Sequence, residues 1–382
     1  MLITKSTTGR RQFMKQASII AACVAAPAVA QPGKTRIAPR DVAVAQLVDV
    51  SQTQQDVSKD FLTGSRAAWQ AINLSGGLRG RRVEHLAIEV DGTPASVRAA
   101  LDSVKNNPTC LAISGTAGDQ LATEIVTLAR LDSLNMAHVA PWLQNSFLEI
   151  DNNTFPIFAA RQEQVAHAIT NLSVIGITEI GAIYGSARDY AVYKPEVERV
   201  SSAMKLKIQS FQAQGDLRVL GQKLTATTPA ILLFVGGTPE LAAFTQGLEK
   251  QSRQRYVVAL GDVNLQVMQQ MGAGRNTPVI ATQPVPTVTS GLAVVRSYRE
   301  TLARLFDEPP TSLSLAGFIA ARYTYAVLES MDAALSRSSV LNAVQKRASL
   351  DLGGFQISFN SQRRSGNYVT QSMMTPEGRV IG

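Results

Sequence analysis

Cysteine is nearly missing from this chain: Cys23 and Cys110 are the only two in 382 residues. Two thiols this far apart give no framework of disulfides and no cysteine metal cluster. Cys110 lies in the apolar run Cys110-Leu111-Ala112-Ile113 and reads as a buried strand residue. Histidine is almost as scarce. His85, His138 and His167 fall in separate segments, none beside a Cys or acidic residue at metal-ligand spacing. No G-x-S-x-G nucleophile elbow and no G-x-x-x-x-G-K-[ST] phosphate loop is present. The glycine-rich Gly76-Gly77-Leu78-Arg79-Gly80-Arg81 follows a helical pattern where a dinucleotide turn would follow a strand, so it reads as a helix-to-strand turn. Nothing here argues for catalysis, a metal or a cofactor.

Long apolar runs are also missing. The one at Ala17–Val29 is shorter than the ~20 residues needed to cross a membrane. It follows Lys5, Arg10, Arg11 and Lys15, with no acidic residue before Asp41, and ends in Ala28-Val29-Ala30 before Gln31. That is the anatomy of a secretory signal over 1–30. Gly9-Arg10-Arg11-Gln12-Phe13-Met14-Lys15 resembles the twin-arginine export pattern, with Gly9 in place of Ser/Thr. Ile20-Ala21-Ala22-Cys23 resembles a lipoprotein box, but only six residues of apolar region precede Cys23, and cleavage after Ala30 is the favoured reading. The expected location is the periplasm. Without those four cations, 33 of the 37 basic residues stand against 29 acidic ones, a formal charge of +4. The charges are interspersed, with no basic stripe for nucleic acid.

What remains is a βα rhythm. Val42–Leu47, Val83–Val90, Cys110–Ser114 and Ala137–Ala140 read as strands. Asp56–Leu74, Pro94–Lys105 and Asp119–Arg130 read as helices, the first with Val57, Phe61, Ala68 and Ile72 on one stripe. The rhythm restarts with helices at Glu163–Val174, Pro195–Met204, Glu240–Gln251 and Leu265–Met271. Strands at Ile180–Tyr184, Ile231–Val235, Tyr256–Leu260 and Val279–Ala281 alternate with them. After a stiff Gln283-Pro284-Val285-Pro286 come helices Leu292–Phe306, Leu315–Leu335 and Val340–Arg347, a break at Asp351–Gly354, short strands Phe355–Phe359 and Tyr368–Met373, and a turn at Glu377–Arg379. The expected class is α/β, with two doubly wound parallel-sheet lobes.

"FLTGSRAAWQAINLSGGLRGRRVEHLAIEVDGTPASVRAALDSV" (Phe61–Val104) resembles the opening of the leucine/isoleucine/valine-binding family of periplasmic solute-binding proteins. Gly64, Ala68, Ile72, Asn73, Gly76, Gly77, Gly80 and Arg81 fit that family's G-x-x-x-A-x-x-x-I-N-x-x-G-G-x-x-G-[RK] stretch; Asp91 and Pro94 fit its continuation. "LLFVGGTPELAAFTQGL", "LAGFIAARYTYAVLESM" and "DLGGFQISFN" are similar to later parts of it. The resemblance implies a Venus-flytrap protein with three crossings. Lobe one would take 36–158 and 285–354; lobe two, 159–284 and 355–382. It also implies a small solute as ligand, a membrane ABC permease as partner, a monomer and no catalysis. A periplasmic sensor on the same fold is the second reading, and an enzyme the third.

Ligands of α/β sheets sit beyond the carboxyl ends of strands. In lobe one the loops at Asp49, at Ser114–Gln120 and at Pro141–Ser146 qualify. Where the family places a carboxylate-holding Ser, this chain has Asp119-Gln120; where Ala/Thr follows the Pro, it has Trp142-Leu143-Gln144. An Asp repels a carboxylate or serves as a helix cap; Trp142 narrows the pocket or stacks on a ring. In lobe two the family's cleft tyrosine falls at Tyr190, with Tyr184 as alternative. Thr238 follows Gly236-Gly237, and Asp262 matches the acidic partner of an amino group. Each of these polar residues also has a plain reading as a cap or turn.

Overall fold

The computed structural model describes residues 41–131, 134–173, 177–274, 276–366, 368–375 and 379–382. The expected export segment with Cys23, and Glu377 and Gly378 of the expected turn, lie outside them. The first α/β layer runs β1 (Val42–Asp49), α1 (Gln55–Leu74), β2 (Val83–Val90), α2 (Pro94–Asn106), β3 (Cys110–Ser114), α3 (Asp119–Leu131), β4 (Ala137–Val139), β5 (Thr154–Phe155). Its five strands are all parallel, in the order β2-β1-β3-β4-β5. β1 is buried throughout. Val44 and Val48 enter one core, and Ala43, Ala45 and Leu47 the other, because successive side chains leave a strand on opposite faces. The stripe Val57, Phe61, Ala68 and Ile72 of α1 is buried as its 3.6-residue spacing requires.

A second layer repeats the scheme: α4 (Arg161–Ser173), β6 (Glu179–Tyr184), α5 (Ala187–Ala203), β7 (Lys207–Gln212), α6 (Leu217–Lys223), β8 (Ile231–Val235), α7 (Thr238–Leu248), β9 (Tyr256–Ala259), α8 (Leu265–Gln270), β10 (Val279–Gln283). The chain then returns to the first layer with α9 (Ala293–Leu305), α10 (Ser312–Glu329) and α11 (Arg337–Gln345) and the hairpin β11 (Leu350–Asp351) and β12 (Gln356–Ile357). Phe355 and Ile357 pack in the core of the first sheet. Finally β13 (Thr370–Met374) and β14 (Val380–Ile381) add two antiparallel strands beside β10, giving the order β14-β13-β10-β9-β8-β6-β7. The chain thus passes between the two sheets three times, and the two-lobed α/β architecture holds.

α10 lies so close on α1 that only glycine fits at two contacts. A Cβ on Gly317 would stand 1.9 Å from the Phe61 carbonyl oxygen, and one on Gly64 1.6 Å from that of Ser314. Several local expectations need correction. The helix expected from Pro195 begins at Ala187, because Ser186 caps it by accepting from the Asp189 N–H at 3.0 Å; Pro195 lies inside it. β7 and α6 carry no strong periodicity and were not expected. α10 stops at Glu329, short of Leu335, and α11 starts at Arg337, capped by Ser336. Only Gln356–Ile357 of the strand expected over Phe355–Phe359 is paired.

Candidate functional site

Each sheet has a point where the chain order reverses. In the first it lies between β1 and β3, in the second between β6 and β8. Strand ends diverge into helices there and leave a crevice. The two crevices face one another across a cavity of about 430 Å³. Thr53 and Gln54 after β1 and Asp119 and Gln120 at the start of α3 line it from one lobe; Gly236 and Gly237 after β8 line it from the other.

On its wall is a residue that the sequence pattern did not single out. Arg161, the first residue of α4, is 4% exposed. Its Nη1 reaches Asp119 Oδ2 at 3.4 Å and its Nη2 reaches Asp262 Oδ2 at 3.2 Å, so it ties a carboxylate of each lobe. The guanidinium lies 3.6 Å from the centroid of the Tyr193 ring, and the Tyr193 hydroxyl donates to Asp119 Oδ2 at 2.6 Å. Burial opposes the charge on Arg161, but the surrounding Tyr193, Asp119 and Asp262 more than offset it and raise its pKa. Burial pushes the Asp262 carboxyl upward while Arg161 pulls it down, and the net shift is upward. One signal in the sequence marks Arg161: a cation in the first turn of a helix opposes the helix dipole, so another partner must hold it there.

Of the ten expected site residues, Asp119, Gln120 and Asp262 line this cavity. Asp119 is almost wholly buried and is fixed by more than Arg161. Its Oδ1 accepts from the backbone N–H of Gln144 at 2.7 Å and of Asn145 at 2.9 Å. Trp142 stands directly behind, packed edge-on against Phe61, with its Nε1 donating to Asp262 Oδ1 at 2.7 Å. The Gln144 side chain accepts from Gln164 Nε2. The others stand back from the cavity wall. Asp49 accepts from the Ser51 N–H at 2.8 Å, and the Ser114 hydroxyl meets that of Thr324 at 2.6 Å. Tyr184 is wholly buried, with the half-buried Tyr190 edge-on at 5.2 Å. Thr238 Oγ1 accepts from the Asn264 N–H at 2.9 Å and joins two loops of lobe two.

Charge on the cavity wall is unbalanced. Asp119, Asp189, Glu240 and Asp262 face Arg161 and Arg188. Burial raises the pKa of both Asp189 and Glu240. A larger groove of about 750 Å³ follows the edge strand β2, past Arg66, Trp69 and His85, but only the first lobe lines it. Among the described residues no group of His, Cys, Asp and Glu is placed to hold a metal, and no helix is long and apolar enough to cross a membrane.

Residues 41–374 match the periplasmic binding protein family. The fold is similar to that of an extracellular ligand-binding receptor from Verminephrobacter eiseniae (TM-score 0.81, 16% identity, 90% of this chain and 100% of that one covered). A substrate-binding periplasmic protein from Ralstonia solanacearum superposes with a TM-score of 0.77 at 22% identity, over 89% of this chain and 99% of that one. A branched-chain amino acid transporter substrate binding protein from Streptococcus pneumoniae, in complex with isoleucine, gives 0.75 at 13% identity, over 90% and 98%. No curated protein matches the chain in sequence.

Proposed function

The chain belongs to the periplasmic binding protein family, a family of solute binders and not of enzymes, and from that premise we propose that it is the binding component of an ABC importer. It takes a small solute, an amino acid or a related organic acid or amide, into the cleft and delivers it to a membrane permease. The observation that carries this is the cavity of about 430 Å³ lined by both sheets at their switch points. That size suits a small ligand, and a ligand touching both lobes favours the closed arrangement by its differential affinity. The neighbour bound to isoleucine supports an amino-acid-sized occupant. Asp119, Gln120 and Asp262 face the ligand in this reading. Trp142 and Gln144 set the depth of the pocket, and Asp49, Ser114, Tyr184, Tyr190 and Thr238 hold the strand ends that frame it. The lobe limits (36–158 with 285–354; 159–284 with 355–382), export by the signal over 1–30 and action as a monomer belong to the same proposal.

Thermal unfolding of the chain from Gln31 against amino acids, amides, aromatic acids, dicarboxylates and sugars tests it. A ligand at a thousandfold its dissociation constant adds about 4 kcal/mol, and the midpoint should rise by ~2–4 °C for each of these. No shift with any compound would remove the binding reading. Binding without uptake through a reconstituted permease would turn it toward sensing.

A further inference from the structure

The cleft already holds a cation, and it is the protein's own. Resting on the reading of this cleft as a solute site, we propose that the ligand is a cationic nitrogen compound without a carboxylate, whose charged nitrogen takes the place of Arg161 between Asp119 and Asp262 while the guanidinium moves to Glu196.

Four observations carry this. Three donors beside the start of α3 are already engaged: the N–H groups of Gln144 and Asn145 bind Asp119 Oδ1, and the Tyr193 hydroxyl binds Asp119 Oδ2. The Ser114 hydroxyl, at the end of β3, is engaged with Thr324. The cavity wall carries four carboxylates against two guanidiniums, so an incoming carboxylate would be a third around Arg161, whereas an ammonium or amidinium reduces the imbalance. The polar atoms left over on the cavity-lining residues include acceptors on both lobes. Gln54 Oε1 and Glu240 Oε2 are buried without a partner, ready for N–H donors.

The fourth observation concerns where Arg161 goes. Glu196 is wholly buried, with the Ser146 side chain beside it, and neither of its carboxyl oxygens has a hydrogen bond of full geometry. It follows Tyr193 by three residues on α5, so the two side chains share a face of that helix, and Arg161 already stacks on the Tyr193 ring. Arg161 Nε is likewise buried and unpartnered. A guanidinium turned along that face finds a carboxylate that has only the Ser146 side chain beside it and no ion pair among the described residues, and one buried ion pair replaces another.

Calorimetric titration of the full chain with agmatine, putrescine, L-leucine and benzoate decides the ligand class. Agmatine or putrescine is expected to bind at least about tenfold tighter than the other two. If leucine or benzoate binds tighter than both cations, this proposal falls and the solute-binding reading stands. If none of the four binds, this proposal falls and the wider panel alone decides the solute-binding reading. Arg161→Gln removes the internal competitor, and agmatine affinity should rise about fivefold or more; loss of agmatine binding by a folded variant overturns the displacement. Should that variant fail to fold, Glu196→Gln, which keeps the shape, carries the test. Agmatine affinity is expected to fall several-fold because Arg161 loses its second berth, and an unchanged affinity overturns the move.

Discussion

Trp142 shows how one side chain serves packing and charge together. Its ring packs against Phe61 and Phe158, while its N–H spans the lobes to Asp262. Trp142→Phe keeps most of the ring contact and removes the donor. A hydrogen bond to a charged group is worth about 1.5–3 kcal/mol, and a loss of that size is expected in urea denaturation. A loss near zero would mean that water replaces the N–H at no cost. His138 gives a second prediction. It is buried in β4 with Nε2 2.8 Å from Thr116 Oγ1, and burial holds its pKa down to about 4. A folded-state pKa below the unfolded value gives stability that is present above pH ~6.5 and is lost as the pH falls toward 4, at ~1.4 kcal/mol per unit. His138→Gln should therefore lose about 3 kcal/mol less than the parent between pH 7 and pH 4 in the same assay. Equal losses would show that the imidazole does not gain a proton on unfolding.

Helix contacts are decided by backbone approach as much as by apolar area. Gly317→Ala forces a methyl group onto the Phe61 carbonyl at the α1–α10 contact, and either the helices move apart or the residue strains. A cost of about 3 kcal/mol or more is expected, read as a lower midpoint in thermal unfolding; an unchanged midpoint would mean that α10 shifts freely. Elements with strong periodicity were readable from sequence: α1 from its apolar stripe, β1 and β8 from unbroken apolar runs. β7 was not, because it is an edge strand with no fully buried residue, and Ile208 and Phe211 are its only large apolar ones. α5 misled in another way. Pro195 is a good first helical residue, but Ser186 caps the chain earlier, and the missing proline N–H removes only one bond of a 17-residue helix.

At the scale of the whole molecule, the lobes are joined by bonds that cross the cleft as well as by the three chain crossings. Trp142 donates to Asp262, Tyr193 to Asp119, and Asn264 Nδ2 to Asp60 Oδ2 at 2.6 Å. Replacing both aromatic donors, Trp142→Phe with Tyr193→Phe, keeps an aromatic ring at each position and removes both crossing bonds. Small-angle scattering of the double variant should give a larger radius of gyration than the parent. An equal radius would assign closure to the ion pairs of Arg161 and to the Asn264–Asp60 bond.

Asp119, Arg161 and Asp262 mark the boundary between the two kinds of information. The class of fold was determined by the sequence alone. Apolar periodicity acts over a few residues, and each run of strand or helix pattern carries its own evidence of burial. The same reading singled out Asp119 and Asp262, which line the cavity, because strand ends in such a fold are known positions. It did not find that Arg161 pairs with both. The partners lie 42 and 101 residues away, and only the packing of two lobes brings them within 3.4 and 3.2 Å. Coulomb interaction depends on distance in space and on burial, so the charge balance of the cleft was decided by the tertiary structure.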